Sequence, residues 1–258
     1  MRRALTAVAV SLMALAACSK SGGDVTGPTT KTTLTVLGAS SLTDAFTTIG
    51  KQFEGEHARV TVRFSFGPSD GLAGQIQGGA PADVFASASS KWMDAVADDP
   101  GVSDRADFAE NRLTIITPKD NPAGIASVQD LGKPGVKLVM AAEGVPAGDY
   151  GRQVLDNAGI SEQALKNVVS NAVDVKGVVQ AVTSGDADAG IVYVTDVTPD
   201  IAPQVQVVDI PDSLNVIATY PIGVVSGSSQ SALAKQFVQY VDGPGQAVLE
   251  QDGFLPAS

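Results

Sequence analysis

The sequence is poor in the residue types on which catalytic and metal sites are commonly built. Its 258 residues include one histidine and one cysteine. A single cysteine cannot form an internal disulfide bond. The histidine, His57, stands in the polar segment 54–59, where a surface position is expected. No serine motif has a histidine beside it in the sequence, so the pattern does not favour a hydrolase with a Ser–His–Asp triad.

Positive charge is also scarce. The chain carries 17 lysines and arginines against 28 aspartates and glutamates, a formal net charge of −11. An acidic surface of this size repels phosphate backbones and anionic lipid head groups, which argues against a nucleic-acid partner. Several aspartates fall beside predicted helix starts or in loops, where the helix dipole explains them, and no free-cation site is predicted. These are Asp44, Asp70, Asp149, Asp174 and Asp196.

The one conspicuous apolar run lies at the start of the chain. Two arginines precede residues 4–17, a stretch too short for a permanent transmembrane helix, which predicts a signal peptide at 1–17. Small residues stand directly before Cys18, and the sequence Leu-Ala-Ala-Cys at 15–18 resembles the lipobox of bacterial lipoproteins. Cleavage there would make Cys18 the N-terminal residue and the site of lipidation, whereas an ordinary signal peptide would be cut elsewhere.

The segment after the leader lacks the apolar residues needed to fold. Residues 18–31 consist mostly of Ser, Gly, Thr and Lys with one Val, a composition typical of a flexible tether. The expected product is a protein secreted across the cytoplasmic membrane and anchored to its outer face through Cys18. Without residues 1–17 it has 241 residues, with 15 basic against 28 acidic side chains, so its net charge is −13.

Short β-rich runs alternate with helical segments along the rest of the chain, which is typical of parallel α/β architecture. The predicted strands are nearly continuous in Val, Ile, Leu and Ala, as expected for a sheet covered on both faces. Strands are expected at 33–39, 60–66, 83–88, 113–117, 137–141, 190–194, 206–209 and 216–225. Helices are expected at 42–54, 71–77, 90–97, 147–157, 162–168, 175–184, 231–241 and 245–251.

Two extended segments about a hundred residues apart suggest that the chain crosses between two lobes and returns. They are residues 112–119 and 219–225, and each fits a crossover strand. On this interpretation lobe 1 comprises residues 32–114 and 223–258, and lobe 2 comprises residues 115–222.

Four places have a small or hydroxyl-bearing residue where a predicted strand gives way to a helix. The N-terminus of a helix presents unpaired N–H groups and the positive end of the helix dipole, which together bind anions without a formal positive charge. In parallel α/β sheets such helix starts cluster at the carboxyl ends of the strands. Helix capping alone would also explain each place taken singly. The four places are residues 40–44, 67–71, 145–148 and 174–177.

A longer ordered pattern contains these places. It runs Ser-Leu-Thr-Asp-Ala-Phe at 41–46, Phe-Gly-Pro-Ser-Asp-Gly-Leu at 66–72, Gly-Ala-Pro-Ala-Asp at 79–83, Val-Pro-Ala-Gly at 145–148, Asp-Val-Lys-Gly at 174–177 and Gly-Ile-Val-Tyr at 190–193. From residue 33 to its end, the chain resembles the substrate-binding proteins of bacterial molybdate ABC transporters, which are type II periplasmic binding proteins. The resemblance implies their α/β fold: two lobes, each a central, mostly parallel sheet flanked by helices, joined by two crossover strands.

The same resemblance implies a high-affinity extracytoplasmic receptor, not an enzyme, that binds molybdate or tungstate between the lobes. Its partners would be the permease and ATPase subunits of an ABC importer; it would be a monomer without a cofactor. Because Ser40 stands directly before Ser41, the sequence does not decide which of the two serines points inward. With Pro68 in the second motif, the sequence does not decide the path of that loop either. The family's oxyanion contacts correspond here to the hydroxyl and backbone N–H groups of Ser41 and Ser69, the backbone N–H groups of Ala147 and Val175, and the hydroxyl of Tyr193.

A site that only donates hydrogen bonds suits this class of ligand. Molybdate, tungstate and sulfate are fully deprotonated near neutral pH, so a neutral cage of donors without carboxylates is expected, whereas phosphate keeps a proton and would want an acceptor. Two alternatives stay open. One is a receptor for sulfate or another tetrahedral oxyanion, because a sequence does not reveal the size of a cavity. The other is a lipid-anchored hydrolase that uses Ser69 or Tyr193.

Overall fold

The structure is a computed structural model, and it describes residues 31–258. The predicted signal peptide, Cys18 and all of the predicted tether except Lys31 lie outside the described residues. Within residues 31–258, no helix is both long enough and apolar enough to cross a membrane.

The described residues form nine strands and eight α-helices that largely alternate. The strands are β1 (Thr32–Ala39), β2 (Val60–Gly67), β3 (Val84–Ala86), β4 (Val102–Pro118), β5 (Leu138–Ala141), β6 (Val168–Ala172), β7 (Ala189–Tyr193), β8 (Val205–Val208) and β9 (Ile217–Val225). The helices are α1 (Thr43–Glu56), α2 (Ser69–Gln77), α3 (Ser90–Asp98), α4 (Pro146–Asn157), α5 (Ser161–Lys166), α6 (Val175–Thr183), α7 (Ser231–Asp242) and α8 (Gln246–Gln251).

The strands join in one sheet in the order β2-β1-β3-β9-β4-β7-β5-β6, with β8 paired to β4. Strand β1 runs parallel to β2 and β3, and β5 runs parallel to β6 and β7. Between these two parallel groups lie β9 and β4, which pair antiparallel with each other. The long strand β4 contacts β9 through residues 102–112 and β7 through residues 113–116. It therefore links the two parallel groups.

Apolar helix faces cover the sheet and fix where the helices begin. In α1, Phe46, Ile49 and Phe53 recur at the spacing of one helix face and are fully buried. Phe237 of α7 packs edge-on against Phe46 and Phe53, with ring centroids 6.2 and 5.2 Å away. Burial of each such side chain contributes about 1.5–3 kcal/mol, which holds α1 against the sheet and positions the turn Ser40–Leu42 directly before it.

The predicted α/β architecture is confirmed, and three strands differ from the prediction. Strand β4 begins at Val102 rather than at residue 113, because its exposed, charged first half pairs with β9 without an apolar pattern. Strand β6 is absent from the prediction; it is an edge strand, half-exposed or exposed along its length, so its sequence carries little of the apolar signal of the inner strands. Strand β3 spans three residues rather than 83–88.

Candidate functional site

The carboxyl ends of six parallel strands border one cavity. The strands are β1, β2 and β3 from one parallel group and β5, β6 and β7 from the other, and the lining residues lie at or shortly after their ends. This is the place where helix starts gather in a parallel α/β sheet. The lining includes all five predicted contact residues, Ser41, Ser69, Ala147, Val175 and Tyr193.

The cavity is small. The space in which the centre of a water molecule fits is about 20 Å³, slightly more than the roughly 10–15 Å³ that one water requires. In this arrangement the cavity is too small for a sugar or a peptide.

The two adjacent serines after β1 have different partners. Ser40 Oγ donates a hydrogen bond of 2.7 Å to Asp174 Oδ2, so its proton is committed to a carboxylate. Ser41 Oγ lies 2.9 Å from the hydroxyl oxygen of Tyr220, and either hydroxyl can be the donor. Both serines are buried. Of the two, Ser41 is therefore the one whose proton is not committed to a carboxylate.

Ser69 stands at the first position of α2 and is almost completely buried. Its Oγ accepts a hydrogen bond of 3.0 Å from the backbone N–H of Ala88, which follows β3. That bond uses a lone pair and leaves the hydroxyl proton available to an acceptor in the cavity. The backbone N–H of Ser69 belongs to the first turn of α2, where no intrahelical acceptor exists.

Ala147 and Val175 bring two further helix starts to the cavity. They are the second residue of α4 and the first residue of α6, so their N–H groups have no partner within their own helices. The start of α4 lies close against the end of β5, since a Cβ on Gly148 would come within 2.1 Å of the carbonyl oxygen of Ala142. Glycine at position 148 allows this close approach.

Tyr193 ends β7 and is buried, with its hydroxyl at the cavity. Among the described residues, this hydroxyl makes no hydrogen bond of good geometry, although the Tyr220 hydroxyl lies close enough to interact with it. A buried hydroxyl without a partner is costly, and a ligand that accepts its proton would remove that cost. Burial raises the pKa of Tyr193 well above its usual value, and the neighbouring Tyr220 adds to this effect. The phenol therefore stays protonated and can act as a donor.

One expectation about the lining is wrong. A cage without carboxylates is expected, yet Asp174 is among the lining residues. Its Oδ1 accepts from the N–H of Gly177 at 3.0 Å and caps α6, and its Oδ2 accepts from Ser40. Both oxygens thus have donors already, which reduces the repulsion an anion would meet. In the described part of the chain, the lining contains no lysine or arginine.

A second buried carboxylate, Asp196, lies just beyond the end of β7. It accepts a hydrogen bond of 3.0 Å from the N–H of Tyr193, and Lys176 Nζ lies 3.7 Å from its other oxygen. Burial raises the pKa of Asp196 to about 6, while Lys176 acts in the opposite direction. Lys176 also forms an ion pair of 3.3 Å with Asp44.

Other residues weighed in the sequence lie apart from the cavity lining. The ring of His57 stacks on Phe53 at the end of α1, with Nδ1 2.9 Å from the Phe53 carbonyl oxygen, so it is not a base for Ser69. Within residues 31–258, no three His, Cys, Asp or Glu side chains are grouped so as to hold a metal ion.

Tyr220 is a residue of the site that sequence reasoning missed. It lies on β9, is fully buried, and meets Ser41 across 179 positions of the chain. This contact depends on β9 pairing with β3 beside β1, an order that no local pattern predicts.

Comparisons with known proteins show which family the chain is similar to. A family model described as bacterial extracellular solute-binding protein matches residues 34–255. The molybdate-binding protein ModA of Mycobacterium tuberculosis H37Rv is 40% identical over 223 residues, covering 86% of this chain and 84% of that protein. The molybdate-binding protein ModA of Escherichia coli K12 is 34% identical over 233 residues, covering 86% of this chain and 88% of that protein.

A solved structure shares the fold. The periplasmic molybdate-binding protein of Azotobacter vinelandii aligns with a TM-score of 0.77 and 23% identity, covering 87% of this chain and 100% of that one.

Proposed function

The chain belongs to the family of bacterial extracellular solute-binding proteins, and we propose that it is a molybdate receptor of an ABC importer. The observation that carries this proposal is the cavity at six strand ends, which is lined by hydrogen-bond donors from Ser41, Ser69, Ala147, Val175 and Tyr193. Relatives that are 40% and 34% identical to this chain over 223 and 233 aligned residues are named as molybdate-binding proteins.

The donors suffice for tight binding of a fully deprotonated oxyanion. Ser41 and Ser69 each offer a hydroxyl and a backbone N–H, and Ala147, Val175 and Tyr193 offer one donor each. A hydrogen bond to a charged group contributes about 1.5–3 kcal/mol, so these seven donors give roughly 10–20 kcal/mol before the costs of desolvation and association. We expect submicromolar affinity for molybdate and for tungstate, which has the same shape and charge.

Binding between two lobes is supported by contacts that cross the predicted boundary. Ser40 bonds to Asp174 on one side of the cavity. Elsewhere, Trp92 Nε1 donates to the Gly144 carbonyl oxygen at 2.8 Å, and Lys91 pairs with Asp149 at 3.3 Å. In each pair the first residue belongs to lobe 1 (32–114 and 223–258) and the second to lobe 2 (115–222). These contacts are those of a closed receptor.

The receptor would act at the outer face of the cytoplasmic membrane. Lipidation at Cys18 would tether it there through residues 18–31, and the monomer would deliver its oxyanion to the permease and ATPase subunits of the importer. The protein would bind its ligand without transforming it, because Ser69 donates toward the cavity and His57 lies apart from it.

Isothermal titration tests the proposal with four anions: molybdate, tungstate, sulfate and phosphate. Molybdate and tungstate should bind with submicromolar Kd, and phosphate should bind far more weakly because its remaining proton needs an acceptor, and both oxygens of Asp174, the carboxylate in the lining, already accept from Ser40 and Gly177. If neither molybdate nor tungstate bound at micromolar protein concentration, the proposal would be wrong. Sulfate binding more tightly than molybdate would favour the sulfate receptor instead.

A further inference from the structure

The hydroxyl of Tyr220 is the partner of Ser41 at the back of the cavity. The two oxygens are 2.9 Å apart, and Tyr220 is not itself among the lining residues. Its ring is fully buried and packs edge-on against Phe108, Tyr193 and Phe254, with centroids 6.3, 5.8 and 5.4 Å away. These ring contacts fix Tyr220 where its hydroxyl meets Ser41, and Tyr220 itself does not line the cavity.

The direction of this hydrogen bond decides what Ser41 offers to the cavity. If Ser41 donates to Tyr220, the lone pairs of Ser41 Oγ face the cavity and repel an anion. If Tyr220 donates to Ser41, one lone pair of Ser41 is occupied and its proton can point at the ligand. Only the second arrangement makes Ser41 a donor.

The surroundings of Tyr220 favour the second arrangement. Burial raises the pKa of the Tyr220 phenol, so the hydroxyl keeps its proton and must place it on a neighbouring oxygen. Asn111 is fully buried, and a hydrogen bond from its side chain to the Tyr220 oxygen lowers the pKa of that phenol, against the larger effect of burial. The amide of Asn111 is itself fixed, since its Nδ2 donates to Thr195 Oγ1 at 2.9 Å and its Oδ1 accepts from the N–H of Arg112 at 2.9 Å.

We propose that Tyr220 is a positioning residue of the anion site: its hydroxyl donates to Ser41 Oγ and so directs the Ser41 proton toward the bound oxyanion. The chain of donors runs from Asn111 through Tyr220 and Ser41 to the ligand. This inference rests on the proposed function. It adds to the site a residue that does not touch the ligand, and it makes Ser41 a hydrogen-bond donor to the ligand rather than an acceptor.

A double-mutant cycle tests the proposal with molybdate as the ligand. Four proteins are titrated by calorimetry: the wild type, Y220F, S41A and the double variant Y220F/S41A. Phenylalanine keeps the ring packing and removes the donor. Y220F should raise the Kd for molybdate roughly 5- to 30-fold, less than the loss of a whole hydrogen bond to a charged group, because Ser41 keeps its proton and loses only the donor that directs it. In the S41A background, Y220F should change the Kd less than twofold, because its effect passes through Ser41.

Y240F is the matched control. Tyr240 also has a hydrogen-bonded hydroxyl, 3.1 Å from Glu56 Oε1, but it lies outside the cavity lining. The Y240F variant should therefore bind molybdate with the Kd of the wild type. Thermal unfolding of each variant shows that it is folded at the titration temperature. Unchanged binding by Y220F, or effects of the two substitutions that multiply in the double variant, would overturn the positioning role. A wild-type protein that fails to bind molybdate would instead contradict the proposed function.

Discussion

At the scale of single residues, a backbone N–H group fixes the Ser69 hydroxyl and leaves it able to donate. Because its Oγ accepts from Ala88, its proton is left for the cavity. Ser69→Ala removes one hydrogen bond to a charged ligand, and we expect the Kd for molybdate to rise roughly 10- to 100-fold. Calorimetric titration measures this change.

Ser65→Ala provides the control for that substitution. Ser65 lies on β2, four residues earlier, and is exposed, so its loss should leave the Kd unchanged. Ser69→Ala also leaves the N–H of Ala88 without its acceptor, and a modest fall in unfolding free energy should accompany the weaker binding. Equal affinity of S69A and the wild type would contradict the assignment of Ser69 as a ligand contact.

The buried carboxyl of Asp196 makes stability depend on pH. Its pKa is raised by burial from 3.8 to about 6 in the folded protein. A raised acid pKa means that the folded state binds the proton more tightly, so stability falls as pH rises from about 4 to 6. The loss is on the order of 3 kcal/mol, at 1.36 kcal/mol for each pKa unit. Lys176, Asp174 and Asp44 are the charged groups that modulate it.

Asp196→Asn should abolish this dependence while keeping an acceptor for the N–H of Tyr193. Urea unfolding at several pH values between 4 and 7.5 measures it: the stability of D196N relative to the wild type should increase with pH across this interval. D212N, at an exposed position, is the control. If the difference in unfolding free energy between D196N and the wild type did not change with pH, the pKa of Asp196 would be the same in the folded and the unfolded protein, and the prediction would be wrong.

Sequence reasoning at this scale works where a residue's role is local. Ser69, Ala147 and Val175 stand at helix starts, and a helix start can be located from the pattern around it. Tyr220 could not be found in this way, because its partner lies on a strand that is distant in sequence. Helix capping alone explains Asp174 in the sequence, and Asp174 does cap α6, but its place in the lining goes with its contact to Ser40, 134 positions away in the chain.

At the scale of elements, the packing of α4 against β5 places the N–H of Ala147 at the cavity. A Cβ at Gly148 would lie 2.1 Å from the carbonyl oxygen of Ala142, which is backbone and cannot swing away. Gly148→Ala should therefore displace the start of α4, lowering the unfolding free energy by about 1–3 kcal/mol and weakening molybdate binding. Denaturation and titration measure the two effects.

Gly74→Ala is the matched control for this element. Gly74 lies within α2, and a Cβ there meets no atom within 4 Å. Alanine is a better helix former than glycine, so G74A should be as stable as the wild type or more stable by up to about 1 kcal/mol. A G148A protein that kept wild-type stability and affinity would show that α4 can move without cost.

Elements were predictable where burial and local pattern agree. The inner strands β5 and β7 have continuous apolar sequences, β1 is buried from Val36 to its end, and all three lie close to their predicted bounds. The first half of β4 and the edge strand β6 carry exposed side chains, and backbone pairing with a neighbouring strand holds them in the sheet. Such pairing leaves no periodic apolar signal in the sequence.

At the scale of the whole molecule, binding should change the relation between the two predicted lobes. The contacts of Ser40 with Asp174 and of Trp92 with Gly144 join the two predicted lobes. A ligand that contacts donors from both parallel groups of strands binds the closed arrangement more tightly than the open one. The ratio of the two affinities sets how far it shifts the equilibrium toward the closed arrangement. Small-angle scattering should therefore show a smaller radius of gyration after molybdate is added.

Trp92 gives this closure a local reporter, because it is the only tryptophan in the chain. In the closed arrangement its indole N–H donates to the Gly144 carbonyl oxygen at 2.8 Å, and opening would expose the indole to water. Molybdate should shift its fluorescence to shorter wavelength with the same midpoint as the calorimetric titration. In S69A the shift should require a higher molybdate concentration, in line with that variant's raised Kd. Saturating molybdate that changed neither the scattering nor the fluorescence would mean that the lobes do not close around the ligand.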